Sequence, residues 1–256
     1  MNEKPLILVT NDDSIEAKGI ASLVKAVEGL GDIVVVAPDT VQSGMGHAIT
    51  IHDPLRLKKS DIFGDVEAYT CSGTPVDCVK IAIYEVLKKR PTIIVSGVNH
   101  GSNAATNVLY SGTMSAAVEG AIENIPSIGF SLLDFDKDAD FDASIHYARI
   151  ITKAVLDNGL QKGTCLNVNI PKGTIDEIKG YKICRQGRAY WADQFDKRKD
   201  PFGGEYFWLT GEYQNTDKGE DTDLFALDQG YVSVVPTQFD MTAHHLISNL
   251  NEWEIK

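Results

Sequence analysis

Short apolar runs alternate with amphipathic segments along the first third of the chain. Residues 6–9 and 33–37 are apolar throughout and rich in β-branched side chains, which is typical of strands buried on both faces. Between them, apolar residues recur at the spacing of one helix face, which predicts a helix over residues 15–30. Ser14 could cap this helix and Gly31 could end it. A strand, a helix and a second strand in this order form a βαβ unit, which predicts a parallel sheet.

The same patterns predict most of the remaining elements. Thr74, Pro75 and Asp77 indicate the start of a helix that ends near residues 88–90. Further strands are predicted at residues 66–69, 92–96, 128–132, 165–170, 181–185, 206–213 and 231–235. Further helices are predicted at residues 113–124, 141–158, 223–228 and 242–253, and loops at residues 40–50, 97–114, 134–142 and 187–204. This order predicts an α/β protein with a mostly parallel sheet.

Composition and charge limit the possible partners. With 256 residues and 43% hydrophobic residues, the chain can bury a core as one large domain or as a domain with an arm. Twenty-four basic and 36 acidic residues give a net charge of −12, which argues against a nucleic acid polymer as partner. A small phosphate ligand is still compatible with this charge, because a metal ion and backbone N–H groups can hold it.

The chain lacks the features of a secreted or membrane protein. No window approaches the roughly 18 apolar residues of a membrane span, and the apolar run at the N-terminus is too short for a signal peptide. The four cysteines, Cys71, Cys78, Cys165 and Cys184, have no zinc-site spacing. We therefore expect a cytoplasmic protein with four reduced thiols.

Two adjacent carboxylates, Asp12 and Asp13, follow the first predicted strand directly. Such a pair is often only a solvated turn. Its position matters here because open α/β sheets bind ligands at the carboxyl ends of their strands. Like charges side by side repel unless a cation offsets them, and Mg²⁺ or Mn²⁺ prefers oxygen ligands. The sequence thus suggests a divalent metal site.

Three loops are expected to meet at this edge of the sheet: residues 11–14, 42–47 and 97–113. Ser43 and Asn99 can add neutral oxygen ligands to the two aspartates, although either residue alone would be an ordinary loop residue. Two carboxylates, an amide and a hydroxyl are a plausible set for one Mg²⁺ or Mn²⁺ ion per subunit.

A candidate anion site lies next to this metal site. Ser111, Gly112 and Thr113 open an alanine-rich helix, whose N-terminal N–H groups favour anions, and Asn103 could donate a further hydrogen bond. Without the metal site this motif would be an ordinary helix cap. A metal ion beside an anion site is the arrangement that phosphate ester hydrolysis needs.

Five sequence blocks resemble the survival protein SurE family, in the order in which that family has them. They are LVTNDDS with a following GI, VVVAPDTVQSGMGHAIT, SGTPVDCV, VSGVNHGSN and YSGTMSAAVEGA. The later DTDLFALDQGYVSVVPTQFDMT is similar to the closing block of the family. The resemblance extends over residues 6–242 and is weakest over residues 134–221.

The resemblance implies a metal-dependent phosphatase of nucleoside monophosphates, a 5′/3′-nucleotidase. It implies a Rossmann-like open sheet with helices on both faces, in which residues 1–133 form the core and residues 134–256 complete it. The family's metal ligands correspond to Asp12, Asp13, Ser43 and Asn99, and its phosphate loop corresponds to Ser111, Gly112 and Thr113, with Asn103 nearby. Members are typically dimers or tetramers that exchange C-terminal segments, which suggests an oligomerisation arm at about residues 181–213. The family commonly has glycine at the position of Ser14.

Other functions are less compatible with these residues. A signalling receiver domain would need a phosphoacceptor Asp and a Lys at the ends of particular strands, and no strand here ends in such a Lys. A dinucleotide oxidoreductase would need G-x-G-x-x-G after the first strand. A non-catalytic nucleotide-binding protein remains an alternative. For a hydrolase, the sequence leaves the general acid open among His47, His100 and His244.

Overall fold

A nine-stranded sheet organises the protein, of which the computed structural model describes residues 4–255. Six neighbouring strands of the sheet are parallel, in the order β4-β2-β1-β5-β6-β7. β3 is antiparallel at one edge, β11 is antiparallel to β7, and β8 pairs in parallel with β11 at the other edge. The strands are β1 (Leu6–Thr10), β2 (Asp32–Pro38), β3 (Leu57–Ser60), β4 (Glu67–Cys71), β5 (Ile93–His100), β6 (Ser127–Leu132), β7 (Thr164–Ile170), β8 (Tyr181–Ile183) and β11 (Val232–Gln238).

Helices cover both faces of the sheet, which confirms the predicted α/β architecture. α1 and α4 pack together over one face, and α2 and α3 pack together over the other. The helices are α1 (Lys18–Val27), α2 (Pro75–Ile81), α3 (Gly112–Ile122), α4 (Asp142–Asn158), α5 (Asp223–Asp228) and α6 (Ile247–Leu250). Over residues 4–255, the helices fall short of the length and apolar content that crossing a bilayer requires.

The first strand shows why an apolar run formed the centre of the sheet. Ile7 and Val9 belong to the core under α1 and α4, whereas Leu6 and Leu8 belong to the core under α2. Successive side chains of a strand point to opposite faces, so a strand covered on both faces must be apolar at every position.

The strand order reverses at β1, and the residues of the predicted site follow this strand and its neighbour β5. β1 pairs with β2 on one side and with β5 on the other. The chain therefore leaves β1 and β5 at a topological switch point, where open α/β sheets have a crevice for ligands. Asp12 and Asp13 follow β1 at this point.

A bulge near the end of β5 corrects one prediction. We expected a loop from residue 97 onward, but β5 continues to His100, so Asn99 lies in a strand. The register between β5 and β6 shifts between Ser96 and Asn99, at Gly97. Gly97 has a φ of +123°, and a Cβ there would lie 2.3 Å from the carbonyl oxygen of Phe130. Only glycine suits this position.

The C-terminal part departs most from the predictions. The predicted loop over residues 187–204 is wrong, because β9 (Ala189–Lys199) pairs along its whole length with β10 (Glu205–Asn215) in a separate two-stranded hairpin. The closing helix predicted over residues 242–253 is also wrong. It is reduced to a 3₁₀ turn, His244–Leu246, followed by the one-turn α6. A role of the hairpin in oligomerisation stays a prediction.

The start of α1 also differs from the prediction. Ser14 does not cap the helix, which begins four residues later with Ala17 at the N-cap position and no side-chain cap. Ser14 instead has a φ of +81°, and its carbonyl oxygen accepts a hydrogen bond from the Asn11 side-chain amide at 2.7 Å. A non-glycine residue in this region of φ is strained by about 1–2 kcal/mol.

This strain predicts opposite effects of two substitutions at Ser14. Ser14→Gly should raise the free energy of unfolding by about 0.5–1 kcal/mol, because glycine adopts positive φ without strain. Ser14→Val should lower it by about 1 kcal/mol or more, because β-branched residues tolerate positive φ poorly. Urea denaturation followed by circular dichroism measures both. A glycine variant less stable than the parent protein would contradict this account of Ser14.

Candidate functional site

Asp12 joins the end of β1 to the N-terminus of α3. Its side chain is buried, and its carboxylate accepts hydrogen bonds from the hydroxyl and the backbone N–H of Thr113. A Cβ at Gly112 would lie only 2.7 Å from the Asp12 Cβ, so this approach requires glycine. Residues that are 100 positions apart in sequence thus form one rigid corner of the site.

The two adjacent carboxylates are both perturbed by their surroundings. Burial raises the pKa of Asp12 to about 6, and the charge of Asp13 adds to this, while the hydrogen bonds from Thr113 oppose it. Burial also raises the pKa of Asp13, against the opposing effects of the His100 backbone N–H and the His100 side chain. When ionised, both carboxylates therefore lack part of the stabilisation that water would give them, and a bound cation could supply it.

Three buried oxygen atoms at the end of β1 make no hydrogen bond to any of residues 4–255: Thr10 Oγ1, Asn11 Oδ1 and Asp13 Oδ2. A group of buried polar atoms without partners needs an explanation, and a bound ion or water molecule can supply one. Residues 4–255 bring no three His, Cys, Asp or Glu side chains together as a metal-binding group. Mg²⁺ does not require such a group, because it takes one or two carboxylates and completes its shell with neutral oxygens and water. The residues present therefore fit a hard divalent ion.

Asn99 is oriented by its amide nitrogen, which donates hydrogen bonds to the carbonyl oxygens of His100, at 3.2 Å, and Gly101, at 2.9 Å. This leaves the amide oxygen as the acceptor end of the side chain. The adjacent residue His100 donates its backbone N–H to Asp13. Asn99 and Asp13 therefore lie at the same corner of the sheet, as predicted from their strands.

Ser43 is exposed and belongs to the loop of residues 40–50, which we call the Ser43 loop. The Gln42 N–H donates to the Asp12 carbonyl oxygen at 2.8 Å, and the Gly46 N–H donates to the Tyr110 carbonyl oxygen at 3.2 Å. Backbone bonds on both sides of Ser43 thus reach the carboxylate corner of Asp12 and Asp13 and the segment that precedes α3.

The far end of the Ser43 loop is bound to the start of α2. Thr74 donates its hydroxyl to the Ala48 carbonyl oxygen at 2.7 Å, and the Thr50 N–H approaches both oxygens of Asp77 at 3.1 Å. Thr74 and Asp77 also form a reciprocal capping box, with Pro75 at the first helical position, which confirms the predicted start of α2. The same cap therefore stabilises the helix and holds the loop.

Glu119 of α3 is a residue that the sequence analysis missed. Its side chain is only 2% exposed, and its two oxygens bind Lys80 Nζ at 2.5 Å and His47 Nε2 at 2.9 Å. Burial raises the pKa of Glu119, but the hydrogen bonds from His47 and Lys80 outweigh this effect and hold the pKa below its usual value. His47 belongs to the Ser43 loop, so Glu119 fixes that loop to α3. A lone Glu in an alanine-rich helix gave no local signal of this role.

The residues of the predicted phosphate loop have internal partners. The Ser111 hydroxyl caps α3 by accepting the Met114 N–H at 3.0 Å, and the hydroxyl and N–H of Thr113 bind Asp12. Gly112 is the first residue of α3, and N–H groups at this position have no partner within the helix. The helix N-terminus thus faces the carboxylate corner with a glycine at its closest point.

Asn103 is buried behind this loop. Its amide nitrogen donates to Ser131 Oγ at 2.8 Å, and its backbone N–H donates to Asn169 Oδ1 at 2.8 Å. One of its two amide hydrogens is therefore used to fix the loop to β6. A direct contact between Asn103 and phosphate stays a prediction.

The three histidines that are candidates for the general acid occupy different environments. His100 lies at the carboxylate corner, where its Nδ1 is 3.2 Å from the Asp134 carbonyl oxygen and its ring packs edge-on against Phe141. His47 is bound to Glu119, and His244 pairs with Asp240 at 2.6 Å in the exposed C-terminal segment. Of the three, His100 is the one with a backbone bond to a predicted metal ligand.

Comparison with known proteins identifies close relatives over the whole chain. A family model described as "Survival protein SurE" matches residues 7–193. The 5′-nucleotidase SurE of Flavobacterium psychrophilum is 60% identical over 253 residues, covering 98% of each chain, and that of Flavobacterium johnsoniae is 58% identical over 255 residues, covering 99% of this chain and 98% of the relative. The crystal structure of the SurE protein from Aquifex aeolicus superposes with a TM-score of 0.84 at 38% identity, covering 96% of this chain and 98% of the other.

The burial of Glu119 generates a prediction about stability. Glu119→Gln should lower the free energy of unfolding by about 1–3 kcal/mol, because hydrogen bonds to a charged group are lost while Lys80 can still reach water. The matched control is Glu123→Gln at the C-cap of the same helix, whose carboxylate binds the more exposed Arg90 at 3.0 Å and accepts a hydrogen bond from the Tyr84 hydroxyl at 2.8 Å. Thermal unfolding of both variants at pH 7 gives the comparison. Equal effects at the two positions would contradict a special role for Glu119.

Proposed function

This chain belongs to the survival protein SurE family, and from that membership we propose that it hydrolyses nucleoside 5′-monophosphates to nucleoside and phosphate. The observation that carries the proposal is the corner where Asp12, beside Asp13, meets the N-terminus of α3. This corner combines a place for a cation with backbone donors for an anion. Two relatives that match nearly the whole chain are called 5′-nucleotidase SurE, which supports the choice of substrate.

We propose that Asp12, Asp13, Ser43 and Asn99 hold one Mg²⁺ or Mn²⁺ ion. When bound, such an ion polarises a phosphoryl oxygen and makes water a better nucleophile. The unpartnered Asp13 Oδ2 and the buried Asp12 carboxylate support this ligand set. Ser43 is included because the preceding residue, Gln42, donates its backbone N–H to the Asp12 carbonyl oxygen and so holds this part of the loop beside the two aspartates.

The protein's own groups have defined tasks in this proposal. Thr113 orients Asp12, and the His100 backbone N–H orients Asp13. The N-terminus of α3 stabilises negative charge on the phosphate, with Ser111, Gly112 and Thr113 forming the loop around it and Asn103 supporting it from behind. His100 is our choice among the three histidines for donating a proton to the leaving oxygen, because it is attached to this corner. Hydrolysis of 3′-esters is included in the proposal.

We also propose that the protein forms a homodimer or homotetramer. The hairpin of β9 and β10 exposes Phe195, Phe202, Phe207 and Trp208. The C-terminal segment exposes Leu246, Ile247, Leu250 and Trp253, although their spacing is that of a helix face. Large exposed apolar side chains in these two segments are typical of interaction surfaces.

The primary test is metal-dependent release of phosphate from AMP and GMP. We expect release with Mg²⁺ or Mn²⁺, its loss with chelator, and a loss of at least a hundredfold in Asp12→Asn, because this variant removes a charge from the proposed ligand set. Asp157→Asn is the matched control, since Asp157 is an exposed residue of α4 that pairs only with Lys153 in the described chain. Full activity in folded Asp12→Asn protein would disprove the assignment.

The raised pKa of Asp12 predicts how metal affinity depends on pH. The Asp12 carboxyl of the metal-free protein titrates at about 6, so a proton competes with the ion below this pH. We expect the Kd for Mn²⁺ to be nearly constant above pH 7 and to rise by about tenfold per pH unit well below 6. Isothermal titration calorimetry between pH 5 and 8 measures this. An affinity that does not change down to pH 5 would show that Asp12 is not a ligand.

A further inference from the structure

We propose that the nucleobase of the substrate stacks against Trp191 and Tyr110, in a cavity between the base of the hairpin and the segment that precedes α3. This inference rests on the proposed function, because it assigns the part of the nucleotide that the phosphate corner does not hold. It adds a base subsite and names a hairpin residue as part of it.

The cavity has the size and lining of a small-molecule site. Its volume is about 640 Å³, and its lining includes Leu109, Tyr110, Tyr190, Trp191, Asp193 and Thr210. Ligand pockets typically have about 300–1,000 Å³ and combine aromatic walls with a few polar groups. Asp193 and Thr210 supply the polar groups here. Aromatic side chains bind any nucleobase by stacking, because every base has a π-face.

The cavity adjoins the phosphate loop directly. Tyr110 lines it and is followed by Ser111 and Gly112, so the Cα atoms of Tyr110 and Gly112 are at most about 7.6 Å apart. The Gly46 N–H also binds the Tyr110 carbonyl oxygen, which places the Ser43 loop beside the same residue. A nucleotide whose phosphate lies at the N-terminus of α3 therefore has its nucleoside within reach of this cavity.

The orientation of Trp191 is fixed by two contacts. Its indole N–H donates to Asn107 Oδ1 at 3.1 Å, and its ring lies 5.4 Å from the ring of Tyr213. Even so, Trp191 is 47% exposed, so a large part of its surface is available for contact. A rigid and half-exposed aromatic ring at the wall of a cavity is suited to stacking, because little conformational entropy is lost on binding.

The hairpin is attached to the body of the protein at this cavity. The Thr106 hydroxyl donates to the Ala189 carbonyl oxygen at the start of β9. The buried Asp223 carboxylate accepts the Ala105 N–H at 2.8 Å through one oxygen and the Gly187 N–H at 2.8 Å through the other. These bonds fix the base of the hairpin relative to the segment that leads into α3. The two sides of the cavity are therefore held together by specific hydrogen bonds.

The test compares AMP with ribose 5-phosphate, which has the same phosphate ester but no base. Trp191→Ala should raise the KM for AMP by about tenfold or more with little change in kcat, because stacking contributes uniform binding. It should leave the kinetics with ribose 5-phosphate unchanged. Trp191→Phe should recover most of the affinity for AMP. Tyr206→Ala is the matched control, because Tyr206 is a partly exposed aromatic residue of the same hairpin outside the lining of the cavity.

Two outcomes would overturn the base subsite. An equal loss with both substrates would show that Trp191 acts only through the fold of the hairpin, and light scattering of each variant would reveal a changed assembly. An unchanged KM for AMP in Trp191→Ala would show that the base binds elsewhere.

Binding is measured independently of turnover, so failure of the proposed function remains distinguishable. We expect AMP to quench the tryptophan fluorescence of the wild-type protein and of Asp12→Asn, and expect this quenching to be largely lost in Trp191→Ala. Ribose 5-phosphate should not quench the fluorescence of the wild-type protein or of Asp12→Asn, because it has no base to stack on the indole. If neither ester is hydrolysed but AMP alone quenches through Trp191, the subsite stands and the hydrolytic function fails. Absence of quenching by AMP in the parent protein would disprove the subsite.

Discussion

The burial of the Asp12 carboxylate against the N-terminus of α3 is the interaction on which the site depends. A buried carboxylate is costly unless its charge is solvated by the protein or by a cation. Here the hydroxyl and N–H of Thr113 supply part of this solvation, and the missing Cβ of Gly112 allows the helix to come close enough. The remaining deficit makes the corner suited to a metal ion. The incomplete solvation of the buried Asp12 carboxylate thus destabilises the fold and also favours the proposed binding of a metal ion.

The Ser43 loop illustrates how a segment without regular structure can be held in place. Its backbone binds Asp12 at one end and Tyr110 near its middle, and Thr74 and Asp77 hold its other end. Between these contacts, His47 meets the buried carboxylate of Glu119, which Lys80 also binds. The loop is therefore connected to β1, α2 and α3 at once. A proposed ligand such as Ser43 can be positioned this way without belonging to a helix or strand.

The hairpin has a different physical basis from the main sheet. Both of its faces are largely exposed along β9 and β10, so its stability comes from backbone pairing and from its attachment through Thr106 and Asp223 rather than from a core. This arrangement leaves aromatic side chains available at its base and along its length. The aromatic residues at the base face the cavity beside α3, and those farther along are available for contact with another subunit.

The sequence alone determined the features that depend on local patterns. Continuous apolar runs predicted the central strands, because a strand covered on both faces must be apolar at every position. The Thr74–Asp77 cap was predictable because all its groups lie within four residues. The order of strands and loops also predicted that Asp12 and Asn99 would meet at one edge of the sheet. The family resemblance strengthened this choice of residues.

Only the tertiary structure decided the features that depend on distant partners. The strand β9 was missed because it is solvated on both faces and has no apolar alternation. The amphipathic C-terminal segment does not form the predicted helix, because its apolar side chains stay exposed and short helices need packing to persist. The pairing of Glu119 with Lys80 and His47, and the closure of Gly112 onto Asp12, join residues far apart in sequence. Local composition carries no information about such contacts, since their free energy exists only once the chain has folded.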